Sequence, residues 1–309
     1  MRKGIPFLKG HMGGNEIVLA PRKRFTRDTE LETGLKVLER PHIGGDQLGL
    51  LYDGTDSSDF GVKILDVNSK DYLPMCGGLT QVLGKAVRET NLTESFGLNP
   101  PDQVKEFDLG TDMGIFTVSI ASSGAITTSM DPFIKSVYER KVEKRSIDGV
   151  ESFRVGDFFV TFEKEIRKKY PRATFSPLDE ETKKTLIELQ EKFRVEFSTG
   201  RANRDFAIIE LREGESRVGR LIFPHNLSEE LLEPSCGTGT VAVAVTLAER
   251  GLIVEDGEVE LQFDSGGRGD SIGGPEVTSV TLEVEERKVK SARLSHSLVE
   301  LLAGGTLYI

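Results

Sequence analysis

Two cysteines stand in a chain of 309 residues, and both occur in the same local setting. Cys76 lies in "LPMCGGLTQ" and Cys236 in "EPSCGTGTV". Each is followed by glycine, then by small or hydroxylated residues, then by an apolar run. After Cys76 the apolar positions Leu79, Val82, Leu83, Ala86 and Val87 have the spacing of an amphipathic helix. After Cys236 the run "TVAVAVTLAERGL" is apolar nearly all round. Val241, Val243 and Val245 alternate as in a strand, but the length of the run and the Gly251 stop favour a helix. Both thiols therefore sit at or just before a helix N-terminus. There the free amides and the helix dipole stabilise a thiolate, and the same amides can hold a carboxylate. Glycines directly after the cysteine let a ligand approach the backbone closely. Each segment could supply a proton-transfer group and an anion cradle together. The pattern also fits two small apolar residues capping buried helices, and at this level both readings stand.

The elements that must position these segments are strands and helices in mixture. "DFGVKILDV" puts Phe60, Val62 and Ile64 on one face, and "GIFTVSIASSGAITTSM" does the same with Phe116, Val118 and Ile120 before a turn. "FAIIELREGESRVGRLIF" reads as a hairpin around "EGES", and "EVELQF" and "SVTLEVEERKVKSARL" alternate too. "TRDTELETGLKVLERP" reads as a helix stopped by Pro41. "SPLDEETKKTLIELQEKF" reads as another, with Ser176 as N-cap and Pro177 at the first helical position. Similar mixtures lie on both sides of about residue 132, which points to two related halves.

Composition narrows the function classes. With 37% hydrophobic and 29% charged residues the chain reads as a soluble globular protein, long enough for two domains. The net charge of −10, without a basic–aromatic face, argues against nucleic acid as partner. An anionic ligand must then be held by local donors. No apolar stretch approaches the roughly 18 residues needed to span a membrane. The N-terminal "MRKGIPFLKGHMGG" is too polar for a signal peptide. A cytoplasmic location is expected, where a permanent Cys76–Cys236 disulfide would be unusual. His11, His42, His225 and His296 are scattered along the chain, so no metal site is expected.

The two cysteine segments and their surroundings resemble the diaminopimelate epimerase / proline racemase superfamily. The likeness runs through "GHMGGNEIVLA", "ERPHIGGDQLGLLY", "VKILDVNSKDYLPMCGG", "AITTSMDPFI", "EPSCGTGTVAVAVTLAERGL" and the C-terminal hairpins, in that order. It implies an α+β fold of two pseudo-symmetric domains, each wrapping strands around a central helix, with the active site in the cleft between them. The domains would span 1–132 with a return strand at about 297–309, and 133–296. It also implies catalysis without pyridoxal phosphate or any other cofactor. One cysteine, as thiolate, removes a proton from the substrate carbon, and the other, as thiol, delivers one to the opposite face. Cys76 and Cys236 match those positions. By the same resemblance Gly77, Gly78, Gly237 and Thr238 bind the substrate carboxylate. Asn15, Gln47, Asp66, Asn68 and Asn203 match further substrate contacts, although Asn15 after two glycines also suits plain turn chemistry.

The chain departs from the epimerase pattern in two places. The first site reads Cys76-Gly77-Gly78-Leu79 where the epimerases usually have Cys-Gly-Asn-Gly, and no arginine occurs in "FPHNLSEELLEPSC", where they carry one for the far end of diaminopimelate. Diaminopimelate itself is therefore not the expected substrate. The leading expectation is an amino-acid racemase or epimerase acting on a small carboxylate. An isomerase that moves a double bond in an unsaturated acid, like methylaconitate isomerases, is the alternative, and a non-catalytic small-molecule binder is a third. A homodimer is the default assembly for a soluble enzyme of this kind.

Overall fold

A computed structural model of the chain describes residues 4–175, 178–197, 205–212, 217–225, 231–253, 255–264 and 276–308. The chain divides into two compact units, Met1–Pro132 with Ser295–Ile309, and Phe133–Leu294.

The first unit runs β1 (Gly4–Met12), β2 (Asn15–Pro21), α1 (Glu30–Leu38), β3 (Gln47–Thr55), β4 (Ser58–Asp66), β5 (Asp71–Leu73), α2 (Gly77–Glu89), α3 (Leu92–Phe96), β6 (Glu106–Gly110), β7 (Ile115–Ile120) and β8 (Ile126–Ser129). Gly13 and Gly14 close the β1–β2 hairpin at φ 55° and 88°. Positive φ at both central residues is the mark of the two-residue turn that matches strand twist, and only glycine takes it without strain. β2 pairs parallel with β3, β3 antiparallel with β4, and β4 antiparallel with β5. β4 also pairs parallel with β6, with α2 and α3 in the crossover between them. The alternating Phe60, Val62 and Ile64 share one core with Leu79, Val82, Leu83 and Ala86 of α2. Leu79, Val82 and Leu83 are fully enclosed, and truncating a leucine in such a place costs roughly 2–5 kcal/mol. β1, β2, β7 and β8 all contact α2, which makes it the central helix of the unit.

α4 (Asp131–Arg140) leads into β9 (Glu143–Ile147), β10 (Val150–Val155), β11 (Phe158–Phe162), α5 (Glu163–Lys169), α6 (Glu180–Phe197), β12 (Asp205–Leu211), β13 (Gly219–Pro224), β14 (Leu232–Glu233), α7 (Gly237–Glu249), β15 (Gly257–Asp264), β16 (Val277–Glu285) and β17 (Lys288–His296). The ladder from β10 repeats the ladder from β1. β10–β11 is antiparallel, β11–β12 parallel, β12–β13 and β13–β14 antiparallel, β13–β15 parallel and β15–β16 antiparallel. α7 holds the place of α2: β10, β11, β12 and β16 contact it, and it is buried from Gly237 to Ala248 but for Thr238. A helix enclosed on all sides can be apolar all round, which is why its sequence shows no polar stripe. The fold is thus an α+β repeat, each copy built around one helix that begins directly after a cysteine.

One helix start differs from the sequence expectation. α6 begins at Glu180, where Asp179 Oδ1 accepts the Thr182 N–H at 2.7 Å and so caps the helix. Ser176 and Pro177 lie outside the described residues. The expected hairpin around "EGES" is seen as the antiparallel β12–β13 pair, closed by Arg212 N–H to Val218 O at 3.0 Å; residues 213–216 lie outside the described set.

After β17 the chain returns to the first unit as β18 (Val299–Tyr308), antiparallel to β1. The return is pinned at His296, whose Nδ1 accepts the Leu298 N–H at 3.0 Å. Burial, with His11 nearby, holds the His296 pKa down from 6.5 to about 4. The unfolded chain therefore binds one more proton than the folded one between those pH values, and stability is lost as pH falls through that window. This group alone accounts for about 3 kcal/mol between pH 6.5 and pH 4. Denaturant unfolding at stepped pH should show a slope of that size, and His296→Asn, which keeps an acceptor for Leu298 but cannot titrate, should flatten it.

Candidate active site

Each cysteine is the residue at which an extended segment becomes a helix. Cys76 has φ −141° and ψ 117° and caps α2, and Cys236 has φ −133° and ψ 102° and caps α7. Both helices are 13 residues long and have no acidic residue in the first turn. A proline stands two residues before each thiol, at Pro74 and Pro234, after the short strands β5 and β14. Proline restrains the turn that brings the chain from strand to helix. A helix starting in this way has its first amides outside the helical ladder, and Gly77, Gly78, Gly237 and Thr238 form the first turns of α2 and α7.

The first unit builds a hydrogen-bonded chain behind Cys76. The Cys76 Sγ–H points to Gln47 Oε1 at 3.9 Å, Gln47 Nε2 donates to Asp66 Oδ1 at 3.0 Å, and Asp66 Oδ2 accepts the Ser69 N–H at 2.7 Å. Gln47 and Asp66 face each other across β3 and β4, and both are buried. Gln47 also lies beside Ile17 in the β2–β3 ladder, two residues from Asn15. The hairpin tip itself reaches α2, since Met12 Cβ lies 3.7 Å from the point where a Cβ on Gly78 would be. Met12 is the ladder partner of Asn15. Asn15, Gln47, Asp66, Gly78 and Cys76 therefore gather at one end of the unit. Asn68 occupies the half-buried turn after β4, two residues beyond Asp66.

The second unit repeats the thiol beside aromatic rings. The Cys236 sulfur packs 3.2 Å from the position a Cβ on Gly239 would take, so it lies over the first turn of α7. Phe223 and Phe158 also reach that position, at 2.7 and 3.1 Å. Asn203, expected to contact substrate, lies outside the described residues.

Several supporting residues were not singled out in the reading of the sequence. Thr80 Oγ1 donates to Gly77 O at 2.8 Å and meets Thr128 Oγ1 at 2.8 Å, while Gln81 Nε2 donates to Thr128 Oγ1 at 2.8 Å. These bonds tie the first turn of α2 to β8. Thr240 Oγ1 donates to Cys236 O at 2.8 Å. A threonine four residues after each cysteine was the visible clue. Arg22 grips the buried Glu30 through Nε at 2.7 Å and Nη2 at 3.1 Å, and Tyr72 OH donates to Glu30 at 2.9 Å, anchoring β5 ahead of Cys76. Burial, then the bond to Glu30, pushes the Tyr72 phenol up to about 12.

A depression of about 520 Å³ in the second unit is lined by Ile147, Asp148, Glu191, Lys192, Val195 and Glu196, and includes none of the residues above. Among the described residues no three His, Cys, Asp or Glu side chains gather as they would around a metal ion. No described helix is long and apolar enough to cross a membrane.

No protein-family model matches the chain, and no curated protein matches it by sequence. Solved structures do match, over the whole length. A hydroxyproline epimerase from Agrobacterium vitis, with trans-4-hydroxy-L-proline bound, is 15% identical with a TM-score of 0.68, covering 100% of this chain and 94% of that one. A methylitaconate-delta-isomerase is 14% identical with a TM-score of 0.61, covering 100% and 96%. A phenazine biosynthesis protein of the PhzF family from Bacillus anthracis is 13% identical with a TM-score of 0.57, covering 100% of both chains. The chain shares the fold of these solved structures.

The glycine environments set up opposite outcomes for one substitution. A methyl at Gly78 meets only ordinary contacts at 3.7 Å, whereas at Gly239 it meets Phe223 at 2.7 Å. Gly78→Ala should raise unfolding free energy by about 0.5 kcal/mol through lost backbone freedom. Gly239→Ala should lower it by about 1–3 kcal/mol through overpacking. Chemical denaturation of the two variants checks both signs.

Proposed function

We propose that this protein is a cofactor-independent isomerase that inverts the Cα centre of a small amino or imino acid by two-cysteine proton transfer. The observation that carries this reading is the repetition of one device: strand, proline, an extended cysteine and a buried helix, once in each unit. Two small apolar caps would not need to be cysteine twice in a chain with no other cysteine.

In this reading the two helix N-termini share one substrate. The thiolate of one cysteine removes the Cα proton. The electron pair left on carbon delocalises into the carboxylate, whose oxygens accept hydrogen bonds from the amides that follow the cysteines. The thiol of the other cysteine then gives its proton to the opposite face, which leaves the protonation states of the pair exchanged. Gln47, fixed by Asp66, orients the Cys76 Sγ–H. Asn15 and Asn203 contact the substrate. The segment before Cys236 lacks an arginine, so the substrate is a single-headed acid rather than diaminopimelate. The reaction is placed in the cytoplasm.

A second reading has a specific observation in its favour. The likeness to a methylitaconate-delta-isomerase is nearly as good as that to the epimerase, and the same proton shuttle can move a double bond in an unsaturated acid.

Incubation with candidate acids in deuterated water separates the two readings. Deuterium at Cα with inversion, followed by NMR and chiral chromatography, is the expected result; exchange confined to an unsaturated diacid selects the second. Cys76→Ala and Cys236→Ala should each lower inversion by on the order of 10²–10⁴-fold, the usual worth of a positioned acid or base. Undiminished inversion in either variant would defeat the two-thiol scheme.

A further inference from the structure

We propose that His11 is a positioning residue, which as the neutral Nε2–H tautomer holds the Gly13–Gly14 turn and with it Asn15. The role for Asn15 rests on the function proposed above; the hold on the turn does not.

His11 is 5% exposed, near the end of β1. Its Nδ1 accepts the Gly14 N–H at 3.1 Å, and its Nε2 lies 3.3 Å from Glu300 Oε2 on β18. A backbone amide can only donate, so Nδ1 must present its lone pair. The ring proton of the neutral imidazole then sits on Nε2, directed at the carboxylate. Glu300 thereby selects the tautomer that Gly14 requires. A proton on Nδ1 would set two donors against each other and release the turn.

The other amide of the turn is held as well. Gly13 N–H donates to Leu298 O at 2.9 Å, and Leu298 is itself held by His296. The two turn amides, the only free donors a two-residue hairpin tip offers, are both committed to the protein. The tip cannot rotate to find other partners, and Asn15 follows it directly. Lys9 and Glu16 pair with each other at 2.8 Å beside His11. Glu300 is the carboxylate that meets the ring, at 3.3 Å.

Amide side chains copy the two ring nitrogens separately. In His11→Asn the Oδ1 falls near the position of Nδ1 and can accept from Gly14. In His11→Gln the amide falls near Nε2 and Gly14 loses its acceptor. The experiment is amide hydrogen exchange on the full chain, read at Gly14, with ¹⁵N NMR of the His11 ring. We expect an Nε2-protonated ring in the unaltered protein, Gly14 exchange faster by about tenfold or more in His11→Gln, and protection restored in His11→Asn. For any acid the protein inverts, KM should rise about tenfold in His11→Gln with kcat within about twofold, and recover in His11→Asn. An Nδ1-protonated ring, equal Gly14 exchange in all three proteins, or an unchanged KM would each overturn the proposal. If none of the candidate acids is inverted, the proposed function fails, and the ring tautomer and Gly14 exchange still decide the hold on the turn.

Discussion

A buried helix that begins without a polar cap is the constraint on which both units depend. The first amides of α2 and α7 have no helical acceptor, and the residue before each is a cysteine rather than serine, threonine or aspartate. Such an end is tolerable when the amides face a ligand or solvent, and costly when they face apolar packing. In the proposed function these helix starts are where the substrate is held.

The two copies meet this demand differently. Cys76 is backed by a polar chain through Gln47 and Asp66 that reaches the turn at Ser69. The Cys236 sulfur and the rings of Phe158 and Phe223 all lie close to the position a Cβ on Gly239 would take. The difference arises from residues 29 and 78 positions away in the chain, brought in by ladder register.

The histidines show the same logic at the edge of the site. His11 and His296 are far apart in sequence, yet both accept a backbone N–H through Nδ1, one at the hairpin tip and one at the return loop beside it. Their value as acceptors of backbone N–H groups is invisible in composition, where four scattered histidines suggested only the absence of a metal site.

Sequence alone carried local facts: several strands and helices could be read from their apolar spacing, a helix was favoured after each cysteine, and similar mixtures on both sides of residue 132 pointed to two related halves. Period-2 and period-3.6 apolar spacing encode burial directly, so Phe60, Val62 and Ile64 and the apolar side of α2 could be read without coordinates. What the tertiary structure decided was partnership. The parallel β2–β3 and antiparallel β3–β4 registers bring Asn15, Gln47 and Asp66 to one end, and β18 brings Glu300 to His11. Register depends on the packing of whole faces against a common helix, a collective property of residues scattered along the chain. Hydrogen-bond partners follow from that packing, and no single stretch of sequence carries them.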